Sequence, residues 1–401
     1  MLDQTVLSVF NFLLQMALVR FWSPDRYGVF ALFANAMLTL ANVQNGLFTT
    51  QYGVLVPPAQ EGGEKHLLRA ALFSWNVVFC AGSAAVVALL FHYVAADHTA
   101  ATFIAGILYF GMGLMREYTR VIMMTEGRVA TALWTDLAGL CVTILMILVS
   151  LHLFGTADIW LILLSLAMGS ATSVAIEVAA NRRLYPLSLS RRVRLRYVDV
   201  FRRHVTWALA GIATTEVQLR TLFFLLGAWY GLAAVGVVQA GLMLFRPIGV
   251  LWFAWSRVMR PAFSRAYAAG NDAQAARLAH LSAIAFLIGT LALLVVLYLA
   301  WPLIDHYIYA YRYPGVGQAT AFWGLVMILS FVRGTYSVRM QGQARFRELS
   351  HVSLVAAILT VLLAVAIAHF RGPIDTILAN VAGEIFMLGA VMWIMDRKTA
   401  S

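Results

Sequence analysis

The stretch 131-TALWTDLAGLCVTILMILVSLHL-153 carries one carboxylate, Asp136, in 23 positions. Wound as a helix at about 1.5 Å per residue, it is long enough to cross the roughly 30 Å hydrocarbon core of a bilayer. Comparable apolar windows recur from end to end, near 2–22, 29–55, 68–94, 99–118 and 157–180, then near 206–228, 232–254, 279–303, 316–338, 350–370 and 374–395. Of the 401 residues, 62% are hydrophobic and 12% charged. That balance leaves too little polar surface to wrap a water-soluble core. The sequence therefore reads as an all-α integral membrane protein of about twelve transmembrane helices in two six-helix lobes.

A formal net charge of +11 could suggest a nucleic-acid partner, but the placement of the charge argues against one. Basic residues gather in alternate connections. These hold Lys65 and Arg69; Arg116, Arg120 and Arg128; Arg182, Arg183, Arg191, Arg192, Arg194, Arg196, Arg202 and Arg203; Arg257, Arg260, Arg265 and Arg277; Arg333, Arg339, Arg345 and Arg347; and Arg397 with Lys398. Together they make up 23 of the 29 Lys and Arg residues, whereas the opposite connections hold only Arg20, Arg26, Arg312 and Arg371. Cytoplasmic loops retain positive charge. Both termini are therefore expected in the cytoplasm of a bacterial cell with the chain in its inner membrane, and the charge reports topology rather than nucleic acid. The basic stretch in the middle can also touch anionic membrane lipid.

Cys80 and Cys141 lie far apart in apolar runs and suggest neither a disulfide nor a metal site. The first twenty residues lack a basic leader and a small-residue cleavage site before Arg20, so the first segment is expected to remain as a span. A weak repeat divides the chain. Tyr27-Gly28, read as the break between the first two spans, is matched at an offset of 203 by Tyr230-Gly231, and the same offset pairs Gln15 with Gln218. The expected organisation is an N-terminal lobe over 1–180, a basic cytoplasmic linker over 181–204 and a C-terminal lobe over 205–401. Repeats of this kind place a transporter's substrate site at their interface. No Walker A, GxGxxG or HExxH pattern occurs, and the nine histidines are scattered singly, so no cofactor or metal is expected.

Function then rests on polar groups at membrane depth, which are costly there. The first span carries Asn11 and Gln15, and the second carries Asn35, Asn42 and Asn45, with 35 and 42 on nearly one helical face. Their amides suit a hydroxyl-rich ligand, or serve equally as interhelical hydrogen-bonding groups. The seventh span carries Glu216, Gln218 and Arg220, and the eighth carries Arg246 followed by Pro247. Glu216 and Arg220, four residues apart, can neutralise each other. Arg246 can bind carbonyls released by Pro247, or both arginines can face a central cavity and hold a phosphate or diphosphate with their guanidinium forks. Glu384, expected to stand alone in the last span, is a candidate proton or sodium site. Asp136 and Glu177, near their span ends, are expected to be solvated.

The N-terminal residues Asp3-Gln4, Ser8-Val9-Phe10-Asn11-Phe12, Arg20 and Ser23-Pro24-Asp25-Arg26-Tyr27-Gly28-Val29-Phe30-Ala31-Leu32 carry a family likeness. This opening resembles the polysaccharide exporters and lipid-linked oligosaccharide flippases, such as O-antigen flippases, of the multidrug/oligosaccharidyl-lipid/polysaccharide exporter superfamily. The resemblance implies a MATE-like six-plus-six fold and alternating access around a central cavity. The implied substrate is a polyprenyl-diphosphate-linked glycan, with polysaccharide polymerase and export machinery as partners. A multidrug or peptidoglycan-precursor exporter of the same fold is the close alternative. A major facilitator would carry a GxxxDRxGRR-like motif after its second span, where this chain reads PPAQEGGEKHLL. A membrane glycan polymerase or glycosyltransferase would need a large, carboxylate-bearing external loop, which these short connections do not offer. The expectation is a non-enzymatic transporter.

Overall fold

The computed structural model describes residues 2–57, 59, 62–94, 99–155, 158–343 and 345–396, so Arg397 and Lys398 of the charge pattern lie outside the described residues, as does the side chain of Arg203. Among these residues the fold is all helical. The chain runs through α1 (Leu2–Phe21), α2 (Pro24–Gln44) and α3 (Thr50–Leu55), the last two joined by a π-helical turn at Asn45–Thr49. Then come α4 (Gly63–Val94), α5 (Ala100–Thr125), α6 (Val129–Phe154), α7 (Ile159–Ala180) and a short α8 (Arg191–Val200). The remainder is α9 (Thr206–Tyr230), α10 (Leu232–Met243), α11 (Arg246–Ala268), α12 (Asp272–Leu299), α13 (Trp301–Ile304), α14 (Val316–Gly342), α15 (Phe346–Phe370) and α16 (Leu378–Asp396).

Helix starts follow capping chemistry. The side chains of Thr99, Ser190 and Asn271 accept from the backbone N–H three residues on, at the N-termini of α5, α8 and α12. Between α9 and α10 the chain turns at Gly231, whose φ of 82° suits a residue without Cβ.

Among the described residues, eight helices are long and apolar enough to cross a membrane, and the bent pair α10 and α11 makes up to nine. The chain is thus a multi-pass membrane protein. Helices also stand at the other three expected stretches, α1, α5 and α9, and these carry Arg20, Arg116 with Arg120, and Glu216 with Arg220. The 57° bend between α10 and α11 falls at Leu244 and Phe245, next to Pro247. Proline lacks the N–H that would continue the ladder and fits the first turn of the new helix.

Two compact units emerge, one comprising Ser8–Leu32 with Thr214–Ser401 and the other Phe33–Ala213, with the first few residues divided between them. In the second unit α4, α5, α6 and α7 pack together over a core that includes Phe48, Tyr52, Leu72, Tyr118 and Tyr197. In the first, α14 lies against α10, α11, α12 and α16.

The start of α2 crosses the start of α10 in the first unit. Methyl groups at Gly28 or Gly236 would run into the carbonyls of Leu232 and Pro24, respectively. Small residues let two helix backbones approach this closely. This corrects the expected break at Tyr27-Gly28: α2 begins at Pro24, so Gly28 is inside a helix, whereas Gly231 is in the turn. The matched dipeptides have different backbone roles because one is needed for packing and the other for chain reversal.

Candidate functional site

In the first unit the structure brings Gln15, Glu216, Arg220 and Arg246 into one electrostatic neighbourhood, joined by Tyr27. The buried Tyr27 hydroxyl donates to Gln15 Oε1 at 3.2 Å. The charge of Arg246 is felt both at Tyr27 and at Arg220. Arg220 Nε lies 3.8 Å from Glu216 Oε2. Among the described residues, two guanidinium groups thus share a region with the Glu216 carboxylate. The bend places Arg246 at the first position of α11, beside Pro247.

Sequence reasoning assigned Arg257 and Arg260 to a cytoplasmic connection. Both lie on α11, exposed and on the helical face that carries Arg246, with exposed Phe253 between them. The other face of α11, through Ile248, Leu251, Trp255 and Met259, lines an apolar groove of about 520 Å³ against α12. α11 is therefore amphipathic, with Arg246, Arg257 and Arg260 on one face and the apolar groove on the other. The spacing 246, 253, 257, 260 was the signal that could have revealed this.

The remaining candidates lie elsewhere. Gln218, between Glu216 and Arg220 on α9, points to the other side and donates to Met387 Sδ of α16 at 3.8 Å. Asn11 is exposed one turn before Gln15. In the second unit Asn35 is 1% exposed, whereas Asn42 and Asn45 are exposed. The expected stripe is thus split between interior and surface. Asn45 Oδ1 accepts from Thr49 at 2.6 Å and from Thr50 at 3.0 Å, holding the π-helical turn.

Glu384 does not stand alone. Arg333 of α14 donates to it through Nε at 2.5 Å and through a terminal nitrogen at 3.3 Å, and the carboxylate residue is 3% exposed. The charge pattern places Arg333 with the connection arginines, but it lies within α14 and reaches α16. Asp136 and Glu177, expected to be solvated, are instead buried, each only 1% exposed. Arg116 and Arg120 converge on Asp136 at 2.5 and 3.1 Å. Thr135 donates to Glu177 at 2.7 Å. The Arg116 and Arg120 spacing of four thus serves the acids of the next two helices, not a connection.

At the end of α5, Glu126 accepts from Tyr52 at 2.6 Å and from Arg69 at 2.7 Å. Partial burial pushes its carboxyl up, but the Tyr52 and Arg69 hydrogen bonds and the charges of Arg69 and Lys65 outweigh this and hold it below its ordinary value.

No family model and no curated protein matches the sequence. Solved structures do. One is an inward-facing multidrug resistance MATE family transporter of the MOP superfamily, with a TM-score of 0.71 at 12% identity, covering 98% of this chain and 94% of that one. The fold is that of MOP superfamily transporters. The lipid II flippase MurJ in its inward closed conformation matches with a TM-score of 0.70 at 11% identity, over 98% of this chain and 87% of that one. A MOP superfamily transporter from Pyrococcus furiosus matches at 0.60 and 13% identity, over 99% of this chain and 93% of that one.

Proposed function

We propose that this chain is a flippase that moves a lipid-linked oligosaccharide or polysaccharide intermediate across the bacterial inner membrane by alternating access. The observation that carries the reading is the gathering of Arg220 and Arg246 beside the carboxylate of Glu216. Guanidinium forks bind phosphate oxygens bidentately, and a diphosphate offers several such oxygens to the two arginines. Arg257 and Arg260 extend the same basic face along α11. The amides of Asn11, Asn42 and Asn45 are candidate partners for sugar hydroxyls. Glu384, held by Arg333, is the candidate for ion coupling, and polysaccharide polymerase or export machinery is the proposed partner.

Losing one charge-assisted hydrogen-bonding group costs about 1.5–3 kcal/mol. Arg246→Ala or Arg220→Ala should therefore lower surface-glycan display roughly ten- to hundredfold at unchanged protein level. Arg246→Lys should recover only part of it, because an ammonium lacks the fork. Normal display in either alanine variant would overturn the assignment.

A second reading, export of a peptidoglycan precursor, is supported by the likeness to the lipid II flippase. A diphosphate head would suit the arginines equally, so the two are separated by which labelled lipid-linked substrate is translocated in vesicles. Export of cationic drugs fits less well, because the cluster repels them.

A further inference from the structure

We propose that α8 is an interfacial helix that binds the phosphate headgroups of anionic phospholipid. The inference goes beyond the transport reading and stands without it. One face of α8 is fixed to the protein: Val193, Tyr197 and Val200 are buried, and the Tyr197 ring stacks on Phe48 at 5.5 Å and on Trp75 at 5.6 Å. Arg196 is committed to Glu64 at 3.1 Å and Asp199 at 3.0 Å. The approach to the helix is pinned where the Ser188 N–H donates to Ser74 Oγ of α4 at 2.9 Å.

The outward face has a different composition. Leu195 is 56% exposed, and Leu187 and Leu189, just before the helix, are 65% and 70% exposed. Arg191, Arg192 and Arg194 stand exposed among them. Water would solvate the arginines but leave three leucines wet, and a hydrocarbon environment would do the reverse. The headgroup layer serves both, with phosphates meeting the guanidinium groups and the leucines reaching the acyl boundary. Chain position puts α8 at that level, because it follows the end of α7 and leads through a π-helical turn into α9. The three exposed arginines Arg191, Arg192 and Arg194 favour an anionic lipid over a zwitterionic one.

The test uses the full chain with Leu195→Cys in a Cys141→Ser background, Cys80 being buried and left in place. The cysteine carries an environment-sensitive fluorophore, and the protein sits in nanodiscs of phosphatidylcholine with increasing phosphatidylglycerol. Emission should shift to the blue as phosphatidylglycerol is added, and salt should reverse the shift. Each arginine near an anionic surface is worth about 1 kcal/mol, about fivefold in binding. Changing Arg191, Arg192 and Arg194 together to Gln should abolish the phosphatidylglycerol dependence, and the corresponding triple Lys variant should keep it. Water-like emission in every nanodisc would overturn the proposal and leave the face for a soluble acidic partner. Blue emission independent of lipid charge would overturn headgroup recognition.

Discussion

Arg333 and Glu384 show how one residue's meaning depends on a partner distant in sequence. A carboxylate in the last apolar helix invites an ion-binding reading, but the 2.5 Å contact from α14 makes it half of a buried ion pair. Removing one member of such a pair strands the other charge at a cost of about 3–5 kcal/mol, whereas replacing both with apolar groups of similar volume is often neutral. Arg333→Met and Glu384→Met should each lower the thermal unfolding temperature in detergent by an amount matching that loss. The double variant should recover most of it. Transport by the double variant then separates two roles. A stable but inactive protein is the expected outcome if the carboxylate couples an ion, and a stable, active one would reduce the pair to a strut between α14 and α16.

At the scale of elements, the first unit depends on how closely α2 and α10 approach. Gly28 and Gly236 each face the other helix's backbone, which cannot move aside as a flexible side chain can. Gly28→Ala should cost about 1–3 kcal/mol through overpacking, visible in detergent thermal unfolding. Gly53→Ala, in α3 with no atom within 4 Å of the added methyl, should cost little. Equal effects at the two sites would remove the crossing from the account. The Tyr-Gly pair was legible in the sequence, but its use was not, because a glycine needed for close approach and one needed for a positive φ look identical in sequence. Helices were legible from apolar length. The amphipathy of α11 was not, because Arg246 was read as an intramembrane residue and Arg257 and Arg260 as loop residues, although one helix carries all three.

For the whole molecule, apolar runs specified the membrane fold, and structures at 11–12% identity share it. Burial by tertiary neighbours set what composition could not, including the interior positions of Asp136 and Glu177. The one-sided distribution of arginine makes a claim about the assembled molecule that can be tested directly. Leu187 lies in the arginine-rich connection before α8, and Tyr311 lies in the opposite set, between α13 and α14 beside Arg312. Both are exposed. Translocation is resisted by Lys and Arg in short connections, so the 181–204 stretch should stay in the cytoplasm and the connection at 311 should cross. In a Cys141→Ser background, a membrane-impermeant thiol reagent added to intact cells should label Tyr311→Cys and leave Leu187→Cys untouched until the cells are permeabilised. Labelling of both from outside, or of neither, would place the two connections on one side. The alternation of basic and neutral connections would then not describe the path of the chain.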